Sequence, residues 1–140
     1  MAGVAFSFYD FSALVELNIG ISNRLDENRS ESFTILFCDL SHVSKSLIDT
    51  NFANLLRTSD SIVHFEHYYF IVMPYTDRYG TKIVQRMIED LFTTQISFAT
   101  ACYPANGENA PELFESLHAE AKKAHSIDLD CLYSATERRP

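Results

Sequence analysis

Apolar residues along the chain change between helical and strand spacing, and these changes predict the order of the elements. Leu14, Leu17 and Ile21 recur at helical spacing and predict an amphipathic N-terminal helix, which fades in the polar stretch 26–32. Segment 33–38 (FTILFC) is apolar on both of its alternating faces, as expected of a central strand covered on two sides. A second helix is predicted next, ending near residue 57, from the apolar positions Ile48, Phe52, Leu55 and Leu56.

The middle of the chain has the pattern of a hairpin followed by a helix. Segment 61–73 (SIVHFEHYYFIVM) predicts two strands that reverse near Glu66 and His67 and end at Pro74. Because this turn contains no glycine, a type I′ turn would be strained, and we expect a slightly longer loop. The clearest helical stripe of the chain follows, formed by Ile83, Val84, Met87, Ile88, Leu91 and Phe92.

The last third of the chain predicts a strand, a helix and a final edge strand. Segment 95–103 (QISFATACY) has strand character, and Pro111 suits the first position of the helix that follows. Segment 128–133 is interpreted as the edge strand. The order α–β–α–β–β–α–β–α–(β) mixes hairpins with crossovers, so we expect an α+β fold with a mixed sheet and helices packed on it. No GxGxxG motif or P-loop points to a doubly wound nucleotide fold.

Charge and cysteine usage narrow the classes of partner and compartment. The 140 residues carry a formal charge of −8 without a basic stripe, which argues against nucleic acid or an anionic membrane as the main partner. Cys38, Cys102 and Cys131 form no CxxC or zinc spacing, so we interpret them as buried thiols in a reducing compartment. The N-terminus lacks a basic segment and meets Asp10 before any long apolar run, so we expect a cytoplasmic protein without a signal peptide or membrane anchor.

The residues by themselves show no recognisable catalytic or metal constellation. There is no Ser/His/Asp motif, activated cysteine or close carboxylate pair, although an enzyme of unrecognised class stays open as an alternative. His64, Glu66 and His67 could suggest a metal site, but no fourth ligand is predictable and a solvated hairpin tip is the simpler interpretation. We therefore expect no metal and no cofactor.

Four segments, taken in order, resemble motifs of one known family. They are GISNR (20–24), similar to GLxNR; ILFCDLS (35–41), similar to a strand ending in LxDxD; RTSDSIVHFEHYYF (57–70), similar to RxSDxVxRYGGDEF; and SFATACYP (97–104), similar to SIGVAxYP. On these motifs the chain resembles the GGDEF (diguanylate cyclase) family over roughly residues 20–124. The resemblance implies a nucleotidyl-cyclase-like palm with a central mixed sheet of about five strands flanked by helices. It also implies one domain over 1–140, with an N-terminal helix and connection at 1–32 and a core at 33–134.

The same resemblance implies that the catalytic residues are missing. Cyclases of this family hold Mg²⁺ with paired carboxylates; Asp39 matches one, but Tyr69 stands at the acidic fourth place of the signature. A phenol with a pKa of about 10 does not replace a carboxylate as a hard-cation ligand at neutral pH. Glu66 and His67 replace the two glycines that admit the substrate phosphates, and the guanine-reading segment is absent from a shortened stretch between Asp39 and Asp60. We therefore expect a non-catalytic, degenerate GGDEF-like domain.

Two features remain as candidate binding sites. Arg57-x-x-Asp60 is similar to the family's inhibitory site, which implies cyclic di-GMP as a ligand, because a guanidinium fits phosphate or guanine and a carboxylate accepts from guanine N–H groups. The alternative is a capped helix end. The hairpin tip, with Glu66, His67, Tyr68 and Tyr69, is a candidate docking surface for a protein.

These observations give a bacterial signalling module that acts through another signalling protein as the favoured function, with a homodimer also open. A cyclic di-GMP receptor using Arg57 and Asp60 is the first alternative.

Overall fold

The computed structural model describes residues 2–25 and 31–136, so most of the polar stretch 26–32 lies outside the described residues. The elements are, in order, β1 (Val4–Ala5), a 3-10 turn (Phe8–Asp10), α1 (Phe11–Arg24), β2 (Glu31–Asp39), α2 (Lys45–Asn51), a second 3-10 turn (Ala53–Leu55), β3 (Ser61–Phe65), β4 (Tyr68–Pro74), α3 (Arg78–Phe92), β5 (Phe98–Pro104), α4 (Ala110–His125) and α5 (Cys131–Thr136).

The strands form one five-stranded mixed sheet in the order β1-β3-β4-β2-β5. β2 lies antiparallel to both β4 and β5, β3 and β4 form the hairpin, and β1 runs parallel to β3. Because hairpins and crossovers alternate along the chain, both strand directions occur in one sheet. The predicted α+β class and the mixed sheet of about five strands flanked by helices are confirmed.

The fifth strand is at the opposite end of the chain from the one that was predicted. Val4–Ala5 pairs with β3, where the Val4 N–H donates to the Asp60 carbonyl at 2.9 Å. The prediction of an edge strand at 128–133 is wrong. Leu129 and Leu132 are both buried, at a spacing of three that suits a helical turn, and the Leu132 N–H donates to the Leu129 carbonyl at 3.0 Å. A pattern this short fits a strand or a helix, and packing decides between them.

The hairpin reverses at Glu66 and His67 as predicted, but its loop has only two residues, since Phe65 pairs directly with Tyr68. The longer loop that we expected is therefore wrong. Glu66 adopts a φ of 54°, so a glutamate occupies the left-handed region that usually favours glycine. The His64 ring nitrogen Nδ1 lies 3.1 Å from the Glu66 carbonyl oxygen, across the turn.

Two hydrophobic layers cover the sheet. Side chains of α1, α4 and α5 pack on one face, and those of α2 and α3 pack on the other. β2 lies between the layers, with every side chain from Phe33 to Cys38 buried, which explains why its sequence is apolar on both faces. None of the helices in the described part of the chain combines the length and hydrophobicity needed to cross a bilayer.

Candidate functional site

The end of β2 and the β3–β4 hairpin tip meet at the place where the resemblance implies metal-binding carboxylates. Asp39 is the last residue of β2, and the strand register places Tyr68 directly opposite it. Directly paired residues of antiparallel strands share a face, so Tyr68 lies on the Asp39 side of the sheet and Tyr69 on the other. The expectation that Tyr69 would stand beside Asp39 is thereby corrected: the neighbour across the strands is Tyr68, also a phenol.

Asp39 takes part in a local turn. Its Oδ1 atom accepts a hydrogen bond from the Ser41 backbone N–H at 3.1 Å. The side chain of Ser44, and not that of Asp39, caps α2, because the Ser44 hydroxyl oxygen accepts from the Leu47 N–H at 3.3 Å. A strand-end aspartate often caps the helix that follows it, but Asp39 lies five residues before the cap of α2. One carboxylate oxygen is thus already occupied by the backbone.

Tyr68 has a neutral hydroxyl group and lies opposite Asp39. The side chain is half-buried, with ring contacts to Phe37 at 5.4 Å and to His67 at 4.7 Å between centroids. Burial, followed by the negative charge of Asp39, raises the pKa of Tyr68 above its ordinary value of 10.0. The phenol is therefore protonated at neutral pH and offers no anionic oxygen to a cation.

Tyr69 belongs to the core of the opposite layer. Only 6% of it is exposed, and its ring stacks on His64 at 4.8 Å and meets Phe52 edge-on at 5.6 Å. Burial first, then the charge of Asp49, raises the pKa of Tyr69. Of the four residues proposed for the docking surface, the structure buries Tyr69 and leaves Glu66 and His67 exposed, with Tyr68 intermediate.

Arg57 and Asp60 lie together at the other end of β3 from the hairpin tip. Asp60 is buried, and its carboxylate accepts three hydrogen bonds from Arg57: from the backbone N–H at 2.9 Å, from Nη2 at 3.0 Å and from Nε at 3.4 Å. Arg57 Nη2 also donates to the Pro74 carbonyl and the Thr76 hydroxyl, both at 2.9 Å. This geometry clamps the loop before β3. The pair therefore has a structural role, but it differs from the predicted helix cap, because the Arg57 side chain reaches Asp60, Pro74 and Thr76.

The Arg57–Asp60 pair also borders an open cavity. A cavity of about 350 Å³ lies between the second 3-10 turn and α3, and both Arg57 and Asp60 contribute to its wall. The Arg57 side chain is 55% exposed. An anionic ligand in this cavity would share the guanidinium with Asp60, whose charge the ligand would have to tolerate.

A further group of titratable side chains was not predicted from the sequence. His118, Asp128 and Asp130 place their ligand atoms within 4.8 Å of one another, the only such group of three in residues 2–25 and 31–136. His118 Nε2 lies 2.7 Å from Asp128 Oδ1, and Lys122 Nζ lies 3.6 Å from the other oxygen. Contacts with Asp130 and then His118 lower the pKa of Asp128. The ten-residue separation of His118 and Asp128 matches no motif, so only the fold reveals the cluster, which ties α4 to the segment before α5.

Comparison with known proteins gives a fold and no closer relationship. The chain matches no family model and no curated protein. Among solved structures it is similar to a sensory box/GGDEF family protein from Caulobacter crescentus CB15, with a TM-score of 0.58 and 13% identity over 86% of this chain and 93% of that one. At this identity the likeness shows the fold alone. The chain therefore has a GGDEF-like fold, as the four sequence motifs indicated.

Proposed function

We propose that this chain is a non-catalytic bacterial signalling module with a GGDEF-like fold that acts by protein–protein interaction. The observation that carries the proposal is the pairing of Asp39 with Tyr68 across β2 and β4. Mg²⁺ chemistry on a nucleoside triphosphate needs hard anionic oxygens, and a protonated phenol beside a single carboxylate supplies too few. Glu66 adds a negative charge at the turn where substrate phosphates would approach.

The hairpin tip is the surface that we assign to the interaction. Glu66 and His67 are exposed, and Tyr68 offers part of its ring beside them. The histidine on the two-residue turn and the tyrosine directly after it provide contact area, the tyrosine at a small cost in conformational entropy. The tip is held in place by the buried residues of β4 immediately behind it.

Incubation with GTP and Mg²⁺ tests the non-catalytic part of the proposal. We expect no cyclic di-GMP above the level of a blank, with an active diguanylate cyclase as the positive control. Appreciable turnover, abolished by Asp39→Asn, would refute the proposal.

Capture of partners from the native host tests the interaction part. The wild-type chain should retain a protein that a Glu66→Ala/His67→Ala variant fails to retain. A Lys45→Ala/Asp49→Ala variant, which alters an exposed ion pair on α2, is the matched control and should behave as wild type. Equal retention by both variants would remove the tip from the interaction.

A cyclic di-GMP receptor is the second candidate, favoured by the half-exposed Arg57 guanidinium at the mouth of the cavity described above. Titration calorimetry with cyclic di-GMP separates the two functions. Micromolar binding that is lost in Arg57→Ala, and kept in Lys45→Ala, supports the receptor. No heat with the wild-type chain favours the interaction module over the receptor.

A further inference from the structure

Helix α3 is a rigid element with one face in the core. Asp77 Oδ1 accepts from the Gly80 N–H at 2.8 Å and caps its N-terminus. Thr81, Ile88 and Phe92 are buried against the sheet on its inner face. The outer face is consequently held in a fixed orientation, and a partner that binds it would not need to order the helix.

The outer face carries an apolar row with the spacing of a packing ridge. The row consists of Tyr79, Ile83, Met87 and Leu91, which are 75%, 45%, 41% and 37% exposed. Successive members are four residues apart, so the row runs about 18 Å along the helix. Rows at this spacing are the ridges that fit the grooves of a second helix. Single exposed apolar residues need no explanation, but a continuous row marks an interaction site.

A basic pair borders this apolar row. Lys82 and Arg86 each precede a member of the row in sequence, and both are exposed. Neither makes an ion pair or a side-chain hydrogen bond within the described ranges. Asp90 is exposed at the equivalent place before the last member of the row, so only the first part of the border is basic. In a chain of net charge −8, two neighbouring cations that form no ion pair in the described ranges favour a negatively charged binding partner.

We infer that the outer face of α3 is the docking surface for an acidic amphipathic helix of a partner protein. Apolar side chains of that helix would pack along Tyr79, Ile83 and Met87, and its carboxylates would meet Lys82 and Arg86. Met87 also lines the cavity between α3 and the second 3-10 turn, which extends the apolar surface sideways. A second copy of this chain fits less well, because two molecules of charge −8 repel. The inference rests on the proposed interaction function and adds to the hairpin tip a second surface, with the class of partner that it would bind.

The test uses the full chain and a labelled model peptide of about twenty residues, long enough to form a helix. This glutamate peptide carries leucine at every fourth position and glutamate next to each leucine. A second probe, the lysine peptide, has lysine in place of each glutamate. Fluorescence anisotropy should show binding of the glutamate peptide to the wild-type chain. The variants Ile83→Glu/Met87→Glu and Lys82→Glu/Arg86→Glu should each weaken that binding by about tenfold or more.

Three controls make the outcome decisive. Leu17→Glu/Ile21→Glu places the same charges on the exposed side of α1 and should leave the affinity unchanged. Lys82→Glu/Arg86→Glu should gain binding of the lysine peptide, a result that unfolding could not produce. Urea unfolding curves of all variants should have midpoints close to that of the wild-type chain.

Other results overturn the inference. These are no binding of the glutamate peptide, equal binding of the lysine peptide, or equal loss in the α1 control. Sedimentation of the wild-type chain with phosphatidylglycerol vesicles, lost on Lys82→Glu/Arg86→Glu, would assign the face to lipid. A dimer in analytical ultracentrifugation that Ile83→Glu/Met87→Glu dissociates would assign it to a second copy. Failure here leaves the GTP and hairpin-tip experiments untouched, and turnover of GTP would refute the proposed function whatever the peptide does.

Discussion

Several residues other than glycine adopt a left-handed backbone conformation, which the tertiary structure imposes against their own conformational preference. Glu66, Tyr75, Thr93 and Ser126 have φ between 48° and 57°. Thr93 and Ser126 end α3 and α4, at the position where glycine is the usual C-terminal cap. A β-branched residue has the highest steric cost in the left-handed region, so Thr93 is more strained than Ser126.

Thr93→Gly should therefore stabilise the protein by about 1 kcal/mol, because relief of the left-handed strain exceeds the entropy that glycine adds to the unfolded chain. Ser126→Gly should give a smaller gain. Equilibrium urea unfolding measures both. A loss of stability in Thr93→Gly would show that the threonine side chain makes a contact worth more than the strain.

Asp60 shows how a residue with a candidate binding role also carries the structure. Asp60→Asn should cost about 2 kcal/mol, because the buried carboxylate accepts three charge-assisted or backbone hydrogen bonds from Arg57 and an amide replaces one acceptor by a donor. Asp49→Asn, which breaks an exposed ion pair with Lys45, is the matched control and should change little. Urea midpoints that do not separate the two variants would contradict the clamp.

At the scale of elements, β5 is an edge strand whose outer side is covered by side chains. The Thr100 N–H donates to the Glu120 carboxylate, and the Cys102 N–H donates to Asn106 Oδ1 at 2.8 Å. His125 Nε2 lies 2.9 Å from the Phe98 carbonyl oxygen. Free edge groups pair with other chains, so these contacts protect the sheet from association.

Glu120→Ala/Asn106→Ala should both destabilise the fold and promote association, since two edge N–H groups lose their acceptors, at about 1 kcal/mol or more for each. Light scattering during incubation at elevated concentration should rise for this variant. Asp90→Ala on the exposed side of α3 serves as the control, and its light scattering should not rise. An unchanged scattering signal in the double variant would show that the helices alone shield the edge.

The sequence pattern predicts β2 and α3 correctly because they are long, whereas it does not predict the short elements β1 and α5. β2 and α3 have enough apolar positions to specify their period, and the structure contains both where the pattern placed them. β1 has two residues and α5 has six, too few to distinguish a strand from a helical turn. Their conformations are set by contacts with β3 and with the layer formed by α1 and α4.

At the scale of the whole molecule, alkaline pH should weaken the fold. Burial raises the pKa of Cys131 from its ordinary 9.0 to about 11, and burial also raises the pKa of Tyr68. In the unfolded chain these groups lose their protons at lower pH, so stability is full below about pH 9 and falls as the pH rises through the folded pKa values.

Urea unfolding from neutral pH to about pH 11 should show this decline, and Cys131→Ala should make it shallower whatever the variant's stability at pH 7. A Cys131→Ala curve parallel to that of the wild-type chain would contradict the role of this partly buried thiol. The same burial keeps the thiolate fraction of Cys131 low, so its alkylation at pH 8 should be slow until the chain unfolds.

The class of fold follows from the amino-acid residues alone, because hydrophobic periods over long segments fix which faces are buried and in what order the elements follow. The residues alone also show that a tyrosine, Tyr69, stands at the acidic fourth place of the segment that resembles the family signature, since residue identities need no coordinates. The folded chain was needed to show which tyrosine faces Asp39, that Tyr69 lies in the core, and that Arg57 is held by Asp60. These depend on strand register and on side chains distant in sequence, and a shift of one residue in register would exchange the two tyrosines.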